Sequence, residues 1–118
     1  MSDIDPAHVM KARLRGDLVA AMKERRTRDA QLLRALVAAL DNAEAPALPG
    51  GPAPHQHAFG DGTAEIARLR LTAADVEAVL LAEIAEREQA AAEFERLGKV
   101  EQAASLRDGI RLARRYIG

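Results

Sequence analysis

Residues 72–98 read TAADVEAVLLAEIAEREQAAAEFERLG, and this stretch decides the fold. Thr72 is a good N-cap, and Asp75 stands three residues on, a capping-box pair with Asp in place of Glu. Val76, Val79, Leu80, Ile84, Ala91 and Phe94 recur at steps that place them on one face of a helix. Arg87 falls on that same stripe, an odd place for a long cation. Gly98 follows Leu97 as a residue suited to the turn that ends a helix.

Working outward, a fourth helix is predicted from about Val100 to Tyr116, with Ala103, Leu106, Ile110, Ala113 and Ile117 as its buried set. Gly109 within it costs about 1 kcal/mol against alanine. On the other side, Glu65 to Leu71 alternates loosely and reads as a short extended segment. From Ala45 to Gly62 periodicity vanishes: Pro46, Pro49, Pro52 and Pro54 alternate with Gly50, Gly51, Gly60 and Gly62. Such a stretch reads as a connecting loop, and residues 45–71 are predicted to form a flexible internal loop. Before it, a first helix starts at the Asp5 N-cap with Pro6 in its first turn. Its stripe is Met10, Leu14, Leu18, Ala21 and Met22. A second helix covers about Arg28 to Glu44, with Leu33, Leu36, Val37, Leu40 and Ala43 on one face. The short gap between these stripes fits an antiparallel hairpin or one bent helix. The predicted fold is all-α: a small, single four-helix bundle-like domain, 1–118, of two helical hairpins joined by a Pro/Gly-rich loop.

Composition agrees. The 118 residues carry three aromatic rings, Phe59, Phe94 and Tyr116, so the core is aliphatic and alanine-rich. Alanine favours close-packed helices over sheets. The absence of cysteine excludes disulfides and thiol catalysis and fits a reducing compartment. The opening Met1-Ser2-Asp3-Ile4-Asp5 is acidic where a signal peptide is basic, and no stretch approaches the roughly 20 apolar residues of a membrane span. The predicted location is cytoplasmic, with no membrane partner. Charge is uneven along the chain. Lys and Arg outnumber Asp and Glu eight to five over 8–44, and acids outnumber bases eight to three over 72–104.

Catalytic constellations are not recognisable. His55-Gln56-His57 resembles a metal pair, but His8 is the sole other histidine and a zinc site needs three or four supported ligands. Glu83, Glu86 and Glu88 lack the Glu-x-x-His unit of helical di-metal sites and read as a solvated acidic face. Ser2 and Ser105 sit in no nucleophile elbow, and Gly60-Asp61-Gly62 is only a turn signal. No cofactor or metal site is predicted. Arg13, Arg15, Lys23, Arg25, Arg26, Arg28 and Arg34 cluster on the first two helices. Such a patch suits phosphates, but without interleaved aromatics it does not suit sequence-specific reading of single strands.

Two ordered sets of residues look familiar. The first is Leu18-Val19-Ala20-Ala21-Met22-Lys23, then Leu33-Arg34, then Ala38-Ala39-Leu40-Asp41-Asn42-Ala43-Glu44. The second is Leu71-Thr72, Val79-Leu80, Arg87, Glu93-Phe94-Glu95, Leu97-Gly98-Lys99 and Tyr116-Ile117. Together, from about Met10 to Ile117, they resemble the GatB/YqeY family. The resemblance implies a helical domain similar to the one near the C-terminus of the B subunit of glutamine-dependent aspartyl/glutamyl-tRNA amidotransferase. In that enzyme the related helical and tail domains contact tRNA, and amide transfer occurs elsewhere in the assembly. By the same resemblance, stand-alone members are assigned carbon–nitrogen ligase activity with glutamine as amido-N-donor. This sequence departs from the family pattern at Lys99 (usually Arg), Glu86 (usually Gln) and Gly118 (usually Pro). It also has a longer 45–70 connection and lacks the C-terminal tail subdomain.

The expected function is that of a non-catalytic accessory domain that binds tRNA or a tRNA-processing protein. Its expected binding residues are Lys23, Arg34, Asn42, Glu44, Arg87 and Lys99, with no catalytic or metal residues. A structural role competes for each: Arg34 and Arg87 as ion-pair partners of Glu44, Glu83 or another acid between helices, and Asn42 and Glu44 as the end of helix two. The alternative function is a protein-interaction scaffold that docks through an exposed apolar helix face.

Overall fold

Asp5 begins the first helix as its sequence position predicts: its carboxylate accepts the amides of Ala7 and His8, and Pro6 follows. The computed structural model describes residues 4–46 and 68–118. Within them the chain forms α1 (Pro6–Lys23), α2 (Thr27–Glu44), α3 (Ala73–Arg96) and α4 (Val100–Arg114), with no strand. At α3 the predicted capping box is complete: Thr72 N–H donates to Asp75 at 2.9 Å and Asp75 N–H to the Thr72 hydroxyl at 3.0 Å. The fourth helix ends at Arg114 rather than Tyr116. The amides of Arg115, Tyr116 and Ile117 bond carbonyls three residues back, a tightened final turn that swings Tyr116 inward.

Both hairpins close on the same device. After α3, Gly98 takes φ +78°, its amide bonds the Glu95 carbonyl and that of Lys99 bonds Phe94. After α1, Arg25 takes φ +58°, its amide bonds the Met22 carbonyl and that of Arg26 bonds Ala21. Each is a Schellman cap, which needs one left-handed residue. Arg25 fills that position despite its Cβ, so α1 and α2 form a hairpin and not one bent helix.

The core gathers Leu14 from α1, Leu33, Leu36 and Leu40 from α2, Leu80 and Ile84 from α3, Ile110 from α4, and Leu71 and Tyr116 from the helix flanks. Five leucines are fully buried, each worth about 1.5–3 kcal/mol. Met22, predicted on the core stripe, is 52% exposed, because α1 buries Ala7, Lys11, Leu14 and Ala21 and Met22 lies a third of a turn away. Leu71, predicted within the flexible loop, is buried in the core instead. Toward the α3–α4 turn, Ala91 and Ala103 are buried apart from this core, so the end of that hairpin closes on alanines.

One charged cluster joins the pieces. Lys11 sits on the buried stripe of α1, and its ammonium donates to Glu44 at 2.6 Å and to Asp41 at 2.8 Å. Both residues of the Lys11–Glu44 pair are buried. Arg68 reaches the same Glu44 oxygen at 2.9 Å, and the Leu69 amide bonds the Glu44 carbonyl at 2.8 Å. Glu44 thus ties α1, α2 and the approach to α3. Burial alone would lower the Lys11 pKa, but the bonds to Asp41 and Glu44 win and raise it above 10.5. The Lys11 hydrogen bond holds the Asp41 carboxyl below its ordinary 3.8, against partial burial.

Three outcomes are expected. Gly98→Ala, whose new methyl meets nothing within 4 Å, costs about 1 kcal/mol through backbone strain alone, whereas Arg25→Gly leaves stability unchanged or raises it by up to about 1 kcal/mol. Urea titration of both variants checks this. Lys11→Met leaves the buried Glu44 carboxylate to the exposed Arg68 alone and costs up to about 3 kcal/mol, while Lys11→Met with Glu44→Leu recovers most of that loss. A double variant no more stable than the single one would remove the buried pair from this role. Finally, the Asp41 contribution is complete above its unfolded value and is lost as pH falls through its lower folded value. That of Lys11 is complete below 10.5 and is lost as pH rises through its higher folded value. Urea midpoints against pH therefore fall at both ends, and Lys11→Met flattens the alkaline limb.

Candidate nucleic-acid interface

Charge balance separates the two hairpins. On α3 and α4 each arginine has an acid: Arg87 with Glu83 at 2.9 Å, Arg107 with Glu95 at 2.8 Å, and Arg96, Arg111 and Arg114 with Glu93, Asp108 and Glu88. On the first hairpin Lys11 and Arg26 are paired, the latter with Glu24 at 2.8 Å and Asp29 at 2.7 Å. Lys23, Arg25, Arg28 and Arg34 are exposed and have no ion pair among the described residues.

These four cations surround the α1–α2 turn. Lys23 is the last residue of α1, and Arg25 is the left-handed residue at the apex. Arg28 lies in the first turn of α2 and Arg34 two turns on, where it shares a shallow depression with Ala21, Met22, Arg25, Thr27 and Ala30. The N-cap of α2 is Arg26, which gives no side-chain bond to the helix amides. Arg25, Arg26 and Arg28 therefore crowd the positive end of the helix dipole, where cations are disfavoured and anions welcome. Asp29 in the same turn answers Arg26, but Arg25 and Arg28 have no ion pair among the described residues, and these two cations suit an external anion better than they suit the helix end.

The residues expected at a binding site divide accordingly. Lys23 and Arg34 belong to the basic turn. Arg87 is half-buried and bonds both the carboxylate and the carbonyl of Glu83, one turn back on its own helix, so its ion pair is not an interhelical one. Arg87 also lines a groove of about 290 Å³ with Arg28 of α2 and Ser105 of α4, which connects it to the basic side. Glu44 is 3% exposed and fully engaged by Lys11 and Arg68, while Asn42 is exposed on the last turn of α2. Lys99 is the exposed N-cap of α4, at the other hairpin's turn. The structure brings Arg34 beside Arg25 and Arg87 beside Arg28, with Lys23 at the end of α1 next to the same turn; it does not bring Glu44, Asn42 and Lys99 to one site. The His55/His57 pair lies outside the described residues. No cluster of three or more metal-ligating side chains occurs among the described residues, and none of their helices is long and apolar enough to cross a membrane.

A second polar group flanks the turn. Tyr116 is 6% exposed and its hydroxyl donates to Asp17, while the Arg13 guanidinium lies 4.6 Å above the Tyr116 ring and donates to the Arg115 carbonyl at 3.0 Å. Burial, then the Asp17 bond, push the tyrosine pKa well up, so the phenol stays a donor. The sequence offered one signal for this pairing: Tyr116 is the single tyrosine, placed where the α4 stripe runs out. At another place, Ile4, Val9, Met10, Val76, Leu80 and Ile117 line an apolar groove of about 310 Å³. Set against models of known families, curated proteins and solved structures, the chain matches none of them.

Proposed function

We propose that this chain is a non-catalytic helical module that binds tRNA, or another RNA handled with it, through the basic turn of its first hairpin. The supporting observation is the uncompensated charge: among the described residues Lys23, Arg25, Arg28 and Arg34 have no ion pair, whereas every arginine within α3 and α4 has one. Counterion release from phosphates is the natural use of such a surface. The resemblance to the GatB/YqeY family supports the same reading, since Lys23 and Arg34 belong to the residues that carry it. Carbon–nitrogen ligase activity with glutamine as amido-N-donor follows from the family resemblance alone. Release of glutamate from glutamine by the purified chain with charged tRNA would overturn the non-catalytic part.

Fluorescence anisotropy with bulk tRNA at several salt concentrations tests the reading. Lys23→Glu, Arg28→Glu and Arg34→Glu each lower affinity and reduce the slope of log affinity against log salt by about one. Arg96→Glu, on the balanced hairpin, changes affinity by no more than about twofold. Weak, salt-insensitive binding by the unaltered protein would refute the RNA reading and favour the protein-interaction scaffold, with the apolar groove as its surface.

A further inference from the structure

Behind the basic turn lies a polar cavity of about 130 Å³ that the phosphate argument does not use. Arg13 and Asp17 of α1, Arg26 of the turn, and Arg115 and Tyr116 beyond α4 line it over a floor that includes Leu33. Three arginines from three segments line it together with one carboxylate. Arg26 is already neutralised by Glu24 and Asp29. The Arg115 side chain has no ion pair among the described residues, and Arg13 uses one N–H on the Arg115 carbonyl and its flat face on the Tyr116 ring. Two cationic groups therefore retain donors for an anion.

The carboxylate adds selectivity. Tyr116 O–H holds one oxygen of Asp17, Oδ2, and fixes its orientation; Oδ1 accepts no bond among the described residues. A carboxylate beside cations repels a bare inorganic anion but accepts a hydroxyl carried next to one. Phosphate with an adjacent hydroxyl donor is the chemistry of a ribose–phosphate backbone, and acidic side chains commonly take ribose hydroxyls.

We propose that this cavity takes one ribonucleotide unit of an RNA backbone, its phosphate against Arg13 and Arg115 and its 2′-hydroxyl donating to Asp17. The inference rests on the RNA-binding reading and adds to it a reason for preferring ribose. Tyr116 acts as a positioning residue.

The test compares an RNA hairpin with the same hairpin fully 2′-fluorinated, a probe that keeps the A-form sugar pucker and loses the donor. The unaltered protein should bind the RNA about tenfold more tightly, the size expected of one hydrogen bond to a charged acceptor. Asp17→Ala should erase that preference while leaving or raising affinity for the fluorinated probe, since a negative charge is removed. Arg115→Ala should weaken both probes alike and reduce both salt slopes by about one. Asp17 and Arg115 are exposed, so both variants are expected to fold, which circular dichroism melts would check. Equal binding of the two probes by the unaltered protein, or a preference that survives in Asp17→Ala, overturns this inference and leaves the basic-turn reading standing. Absence of salt-sensitive binding to either probe overturns both.

Discussion

A single carboxylate organises the packing. Glu44 receives the ammonium of Lys11 from α1 and the guanidinium of Arg68 from the approach to α3, and its own carbonyl receives the Leu69 amide. Aliphatic cores of leucine and alanine tolerate many packings, because such side chains are similar in size and carry no directional bonds. Buried ion pairs do not tolerate slippage, since a one-residue shift leaves a charge without a partner in a poorly solvating interior. Lys11 and Glu44 thereby fix how α1 registers against α2, and Arg68 fixes where the second hairpin begins. The buried apolar side chains, five fully buried leucines among them, supply non-directional stabilisation, and the Glu44 cluster adds the directional contacts between the helices.

Around that fixed frame, charge is distributed by need. Arginines on α3 and α4 meet acids one turn away or across the hairpin, which is how a solvated helix pair is usually kept soluble. The α1–α2 turn breaks this pattern three times over: a non-glycine residue at positive φ, a cationic N-cap without a capping bond, and a further arginine in the first turn. Each departure costs stability. Their coincidence at one end of one hairpin is the mark of a surface shaped by something other than folding.

Much of this was legible in the sequence. The Thr72/Asp75 box, the Asp5 cap and the Gly98 stop are local chemistry, fixed by residues within one turn of each other, and the structure reproduces them. What depends on contacts distant in sequence was less visible. Lys11 continues the stripe Ala7, Leu14, Ala21, the same anomaly that drew attention to Arg87, yet a cation on an apolar stripe does not say which acid answers it. For Arg87 the answer was local, Glu83; for Lys11 it lay some thirty residues away. Met22 was misplaced because stripes fix a face only to within a residue's rotation. Arg25 carried no signal at all, since nothing in its identity predicts a left-handed backbone. The Asp17–Tyr116 bond joins residues 99 apart and emerges only once the turn after α4 is folded against α1.

The bond between the Glu44 carbonyl and the Leu69 amide has a consequence for the chain's evolutionary freedom. Glu44, at the end of α2, and Leu69, ahead of α3, are neighbours joined by a 2.8 Å backbone hydrogen bond. The described ends of this connection, Glu44 and Leu69, are tied to each other and to α1 by Lys11 and Arg68. For a flexible connection, closure entropy grows only logarithmically, about 0.6 kcal/mol per doubling of length, so flexible residues added between two such neighbouring ends cost little. Folded domains often have neighbouring termini. The fold therefore contains a ready socket, at which a whole further domain can be inserted or removed while both hairpins keep their register.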